Sequence, residues 1–337
     1  MIAVDAAAAI TPVGLGLTDT MASIYTRVQL FEDLGLLDTD GEPLGGMKIP
    51  FPDDPAGPER IIAMAHAVVD ECTLGLEPDG AKVPLFLCCP EADSLPDDLP
   101  ARLLAEVIGK AAVPIDPARS RVVARGRASV LEALGAALAL LKDGNVPCCL
   151  VGGVDSLVDA DRVQKLFDDD RLLCATNKDG FVAGEAGAML LLANRPEPGA
   201  MAAWLGAAAG NEAASRGSEL PITGAGVQEA MTKALALAKV PFDTLAGLAH
   251  DFSGEARYFE ELVLASSRLA KAGATTAVEI PALSVGETGA AAGFLTLAML
   301  AFLHGKGVYE RPSLAVLSCD GPERGAVVLG PLPQQRR

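Results

Sequence analysis

The sequence predicts an α/β protein with a duplicated, five-layer α-β-α-β-α layout, and three observations carry that expectation. Short apolar runs alternate with longer stretches rich in Ala and Leu, the pattern of sheets layered between helices. A helix-then-strand unit occurs twice: Ala128–Lys142 ends at Asp143-Gly144 and feeds Pro147–Gly152, and Gly289–His304 ends at Gly305 and feeds Ser313–Ser318. Both helices are dense in small residues and poor in charge, so each needs cover on most sides, in a middle layer between two sheets.

Taken along the chain, Met1–Leu15 has no basic region ahead of its apolar stretch and runs into Thr11-Pro12, so it reads as a first strand and not a secretory signal. Further strands are expected at Pro84–Cys89, Pro147–Gly152, Gly187–Leu192, Gly247–His250, Thr276–Ile280, Ser313–Ser318 and Ala326–Leu329. Helices with apolar spacing of three and four fall at Pro58–Glu71, Leu99–Ala111, Ala128–Lys142, Val227–Ala238, Gly254–Ala272 and Gly289–His304. Phe51–Pro58 and Pro90–Pro100, rich in Pro and Asp, read as surface loops. The chain divides into an N-terminal half, residues 1–195, and a C-terminal half, 196–337, packed as one unit.

Composition narrows the function. Half of the 337 residues are apolar, enough for a large core. With 44 acidic against 27 basic residues the formal charge is −17, which repels nucleic-acid phosphates and anionic lipid alike. The run Gly289–Leu303 is too short and too rich in Ala and Gly to span a bilayer, so no membrane partner is expected. Seven cysteines without C-x-x-C spacing read as buried small hydrophobes in a reducing compartment, hence cytoplasmic. The glycines of Val151–Gly153 and Gly210–Gly226 do not follow G-x-G-x-x-G, so no nucleotide cofactor is implied.

Four blocks, in order, resemble the β-ketoacyl-ACP synthases of the thiolase-fold superfamily. Arg125–Ser156 (RGRASVLEALGAALALLKDGNVPCCLVGGVDS) is similar to the segment in which a catalytic cysteine opens a buried helix. Asp179–Leu192 (DGFVAGEAGAMLLL) is similar to the next conserved block. Gly224–Glu255 resembles the helix and strand that deliver a first catalytic histidine, and Ser284–Leu303 the block that carries a second. The resemblance implies a thiolase-like fold, and it covers most of the chain. The chain is shorter than elongating synthases mainly before Arg127, so the lid and dimer-edge segments are expected to be trimmed.

A decarboxylative condensing enzyme needs a thiolate, imidazoles that polarise a thioester, and oxyanion donors. The resemblance places Arg127 where the cysteine belongs, Glu287 where the second histidine belongs and Ala282 on the family's lysine; His250 alone matches. Cys319–Gly325 (CDGPERG) lacks the family's glycine-rich loop pattern. A guanidinium stays protonated and cannot attack a thioester. The site is therefore expected to be degenerate, with no catalytic residue, no cofactor and no metal, and with Arg127 and Glu287 paired beside His250.

Ordinary roles suffice elsewhere. His66 reads as a helix-face residue, and His304, just before Gly305, as a cation complementing a helix C-terminus. Cys88-Cys89 and Cys148-Cys149 read as core, Asp168-Asp169-Asp170 as a solvated loop, and Tyr25, Trp204 and Tyr258 as too scattered for a stacking surface. Ser129, a conceivable substitute nucleophile, points about 200° around the helix from Arg127.

Two functions compete. One is a non-catalytic binding partner or adaptor, pairing with itself, with a ketosynthase as chain-length factors do, or with a secreted effector. Family members lacking the catalytic trio are also found as accessory proteins beside type VI secretion effectors. In the family a strand extends both central sheets across a homodimer or heterodimer, and Pro147–Gly152 is matched to it. The alternative is an acyl-thioester transferase, decarboxylase or hydrolase working through His250 and Glu287. A ligand sensor reusing the acyl tunnel is a third reading, by fold analogy alone.

Overall fold

The structure, a computed structural model, describes residues 1–77, 81–271 and 277–333. Strand β1 (Ala3–Ile10) leads into helix α1 (Leu17–Tyr25), a hairpin of β2 (Glu32–Leu37) and β3 (Pro43–Met47), and α2 (Gly57–Cys72). There follow β4 (Leu85–Cys89), α3 (Leu99–Lys110), β5 (Arg121–Ala124), α4 (Ser129–Lys142), β6 (Cys148–Ser156), α5 (Ala160–Asp168) and β7 (Ala183–Ala193). The second run is β8 (Ala202–Asn211), α6 (Ala225–Ala238), β9 (Leu248–His250), α7 (Ala256–Leu269), β10 (Val278–Glu279), the single turn α8 (Ala282–Val285), α9 (Ala292–Gly305), β11 (Ser313–Ser318) and β12 (Glu323–Gly330).

Strand order is β10-β9-β11-β12-β8-β1-β7-β6-β4-β5. Read outward from the β8–β1 junction, each side passes two antiparallel pairings and then two parallel ones. That repeat is the duplication the helix-then-strand echo pointed to, since β6 and β11 hold the same place on their two sides. Between the two sides the sheet pairing is short, at Ala3–Ala203 and Val4–Ala202.

Helix α9 packs on strands of both sides and is covered all round, so it forms the middle layer. Its Phe294, Leu297 and Leu303 share one apolar cluster with Val130, Leu134 and Leu141 of α4. Helices α2 and α3 cover the outer face of one side, α6 and α7 that of the other. Each apolar face is thus buried against a neighbouring layer, the arrangement that stabilises α/β folds.

Helix α4 is covered on most of its surface and open along one face, where Glu132, Gly135, Ala139 and Lys142 are exposed. Several expectations need correction. The strand matched to the family's dimer contact, Pro147–Gly152, lies inside the sheet as β6, hydrogen-bonded to β4 and β7 on its two sides. It has no free edge to extend. The sheet ends on this side at β5, which among the described residues pairs only with β4. The hairpin β2–β3, strands β5 and β8 and helices α1 and α5 had no counterpart in the sequence reading. Of the expected elements Gly254–Ala272 and Thr276–Ile280, residues 272 and 276 lie outside the described residues.

Two glycines seat the segment that carries Glu287. A Cβ on Gly153 of β6 would come 2.2 Å from the carbonyl oxygen of Ala290, and one on Gly184 of β7 would come 2.1 Å from that of Val285. Only bare backbone permits that approach. Glu287 N–H then donates to Val182 O at 2.8 Å, and Glu287 O accepts from Gly184 N–H at 2.9 Å. Among the described residues no helix is long and apolar enough to cross a membrane.

Candidate functional site

The C-terminal ends of β5, β9 and β11 and the segment before α9 converge on one guanidinium. Arg127 sits in a single 3-10 turn, Gly126–Ala128, between β5 and α4. Its Nη1 donates to Glu287 Oε2 at 2.5 Å, its Nε to Ser318 O at 3.0 Å, and its Nη2 to Asp251 O at 2.7 Å and Asp251 Oδ1 at 3.1 Å. The Tyr258 ring centroid lies 5.5 Å from the guanidinium carbon, within cation–π range. The guanidinium therefore has two carboxylates, two carbonyls and an aromatic face around it.

Both carboxylates are held from behind. Glu287 Oε1 accepts Gly289 N–H at 2.8 Å, ahead of α9, a favourable position for an anion. Asp251, directly after His250, accepts Ser318 N–H with its two oxygens at 2.9 and 3.2 Å. Burial pushes Glu287 up to about 7 and Asp251 up to about 6, against the opposing pull of Arg127. Burial also disfavours charge on Arg127, but Glu287 and Asp251 outweigh it and raise the pKa, so the guanidinium stays charged.

His250 is sealed. It is fully buried, neither ring nitrogen has a hydrogen-bond partner, and its Nδ1 stands 3.5 Å from Asp251 Oδ1. Phe252 packs edge-on against it at 5.7 Å. Burial, with Arg127 and Arg324 adding positive charge, drives its pKa down to about 3, so the imidazole is neutral. A cleft of about 570 Å³ opens above the site and ends on Arg127, Glu287 and Gly289; His250 lines none of the principal cavities. The structure thus brings together Arg127 and Glu287 at the cleft floor and keeps His250 behind them.

Further ion pairs surround this centre. Arg324, in the rewritten CDGPERG segment, makes a two-point contact with Glu261, at 2.6 and 2.9 Å, both side chains fully buried. Arg171 bridges Glu255 and Asp320, and Asp320 accepts the Tyr258 hydroxyl at 2.6 Å. Tyr258, expected to be merely scattered, is stacked by Arg127, Arg257 and Arg324. Sequence reasoning missed Asp251, Tyr258 and the Arg324–Glu261 pair. The one available signal was Asp251's position beside His250.

Ala282 begins α8, and its segment borders a small space beside Asp251. Ser129 is buried and turned away from the cleft, donating to Val123 O and accepting Arg125 N–H, each at 3.0 Å. His304 is corrected: burial lowers its pKa, and its ring nitrogens bond Tyr309 O and Ser313 Oγ at 2.9 Å, so it pins a loop as a neutral ring and is no capping cation. His66 is half-buried on α2. The cysteine expectation fails at Cys174, which is partly exposed, while Cys88, Cys89, Cys148 and Cys149 are buried. Asp168, Asp169 and Asp170 are exposed at the end of α5.

The raised Glu287 fixes the sign of a pH effect. A carboxyl with a folded-state pKa of about 7 against an ordinary 4.5 stabilises the fold fully below 4.5 and loses that contribution as pH rises through 7. In urea unfolding, the stability of the wild type relative to Glu287→Gln should therefore decline across that window. A relative gain would mean that Arg127, not burial, governs the titration.

No protein-family model matches the chain, and no curated protein sequence matches it. Solved structures do. An ishigamide ketosynthase/chain length factor superposes with a TM-score of 0.72 at 18% identity, over 98% of this chain and 99% of that one. A type II PKS acyl-carrier protein complex with its ketosynthase, AntDE:AntF, gives 0.77 at 14% identity, and a β-ketoacyl synthase from Burkholderia phymatum gives 0.76 at 13%, both with the same coverage. The chain has the thiolase-like fold of the ketosynthases.

Proposed function

We propose that this chain is a non-catalytic ketosynthase-like protein that acts by binding another protein. The observation that carries the proposal is the Arg127 guanidinium: it stands where the resemblance puts the nucleophile, and it is locked to Glu287 and Asp251. A permanently protonated group there leaves no atom to carry an acyl chain. The rival reading, thioester chemistry through His250, requires substrate to reach an imidazole that lies behind Arg127 with both nitrogens dry. The residues Arg127, His250 and Glu287 are thus a degenerate centre. Residues 1–195 and 196–337 are its two halves, folded as one unit in the cytoplasm.

For the partner, three candidates stand: a second copy, an active ketosynthase, or a secreted effector, the last in the manner of a type VI secretion accessory protein. One similar structure is a ketosynthase/chain length factor, which favours pairing between like folds. The outer edge of β5, unpaired among the described residues, and the exposed face of α4 beside it form the surface suited to such pairing, because an unpaired edge strand is a ready template for another chain. Gly135 on that face has open space where a Cβ would go.

Two measurements test the proposal. Incubated with acyl- or malonyl-thioesters, the protein should show no mass increase in intact-mass spectra and no turnover; an acyl adduct would end the non-catalytic reading. If the partner is a second copy, light scattering should show the wild type as a dimer and Gly135→Arg as a monomer with an undiminished melting temperature, and a monomeric wild type removes that candidate. A Gly135→Arg dimer would remove α4 from the interface.

A further inference from the structure

The cleft above Arg127 does not stop at its own rim. It shares Ser94, Leu95, Asp161 and Arg162 with a second chamber of about 490 Å³, so the two form one elongated groove. Walls of the second chamber include Pro55, Pro58, Pro90 and Pro96 with Ile61 and Val158. The first contributes Leu157, Leu166 and Phe181. Apolar surface therefore runs the length of the groove.

Charge in the groove is uneven: the second chamber is balanced, with Lys48 and Arg60 held by Asp54 and Glu185, and the acidic excess lies in the first cleft. Carboxylates outnumber cations in the first cleft, and every cation there is already engaged: Arg127 with Glu287 and Asp251, Arg162 with Asp155, Lys165 with Asp169, and Arg171 with Glu255 and Asp320. Among the described residues, Asp93 and Asp161 have no cationic partner, and Glu91 reaches only Arg162, at 3.6 Å. Burial, more than the nearby Asp155 charge, pushes the Glu91 pKa up. Such a groove repels an acidic carrier protein and attracts a cation.

We propose that this groove receives an extended segment of a partner protein in which lysine or arginine alternates with apolar residues. The cations meet Asp93, Asp161 and Glu91, and the apolar side chains meet Leu95, Leu166 and the proline-lined chamber. The inference rests on the chain being a protein-binding partner, and it adds where the partner docks and with what chemistry. Charge complementarity selects a basic segment, and the continuity of two chambers selects an extended one over a small ligand.

The test is fluorescence anisotropy with a fluorescein-labelled peptide, Gly-Leu-Arg-Leu-Lys-Leu-Gly, and a counterpart with Glu in place of Arg and Lys. The wild type should bind the basic peptide, less tightly at high salt, and should not bind the acidic one. The double variant Asp93→Asn/Asp161→Asn should bind about tenfold more weakly, while Glu260→Gln on α7 should bind as the wild type does. Equal binding of both peptides, or an unchanged affinity in the double variant with its melting curve intact, overturns the proposal. Capture of the native partner from cell extract separates the two levels. If the double variant captures it as well as the wild type, the groove is wrong and the binding function stands; if neither protein captures one, the binding function itself falls.

Discussion

The constraint on which the rest of this structure depends is the cost of keeping a guanidinium dry. Arg127 is almost fully covered, and an unpaired charge in such a place is worth several kcal/mol against folding. Its neighbours answer that cost. Glu287 and Asp251 supply opposite charge, Ser318 and the Asp251 backbone supply carbonyls, and Tyr258 supplies a π face. Each comes from a different part of the chain, so the pairing fastens β5, β9, β11 and the start of α9 to one point.

Geometry around that point follows from backbone as much as from charge. Glu287 reaches Arg127 only because Gly153 and Gly184 let its segment lie flat on β6 and β7. The same segment presents Gly289 N–H to the Glu287 carboxylate, and Ala290 N–H to Asp155 at 2.8 Å. Two carboxylates thereby satisfy donors that precede α9, a helix with no polar face of its own to do so. The fold's middle layer and its charged centre are in this way one assembly, with the cleft left open only on the solvent side of Arg127.

Much of this was legible in the residues. The layering followed from two charge-poor helices that each needed cover on most sides, and the site from three residue types, Arg127, Glu287 and His250, standing in blocks with a familiar order. The misses have physical causes. β8, AAWLGAAAGN, has little strand propensity and is a strand because β1 and β12 pair with it on either side, a case of tertiary context overriding local preference. The four-residue β5 is too short for any periodicity, and the match of Pro147–Gly152 to the dimer strand rested on the resemblance alone. Asp251 and the Arg324–Glu261 pair were invisible because their partners lie 124 and 63 residues away, and spacing in sequence carries no trace of that proximity.

The most direct test of the account is a double-mutant cycle between Arg127 and Glu287, each replaced by Met, followed by urea unfolding. If the pair is the fastening described here, Arg127→Met leaves Glu287 without its cation and Glu287→Met leaves Arg127 with Asp251 alone, and the double variant recovers about 1 to 3 kcal/mol relative to the sum of the singles. Strictly additive losses would show that the two side chains are neighbours without being coupled, and the central claim would fail.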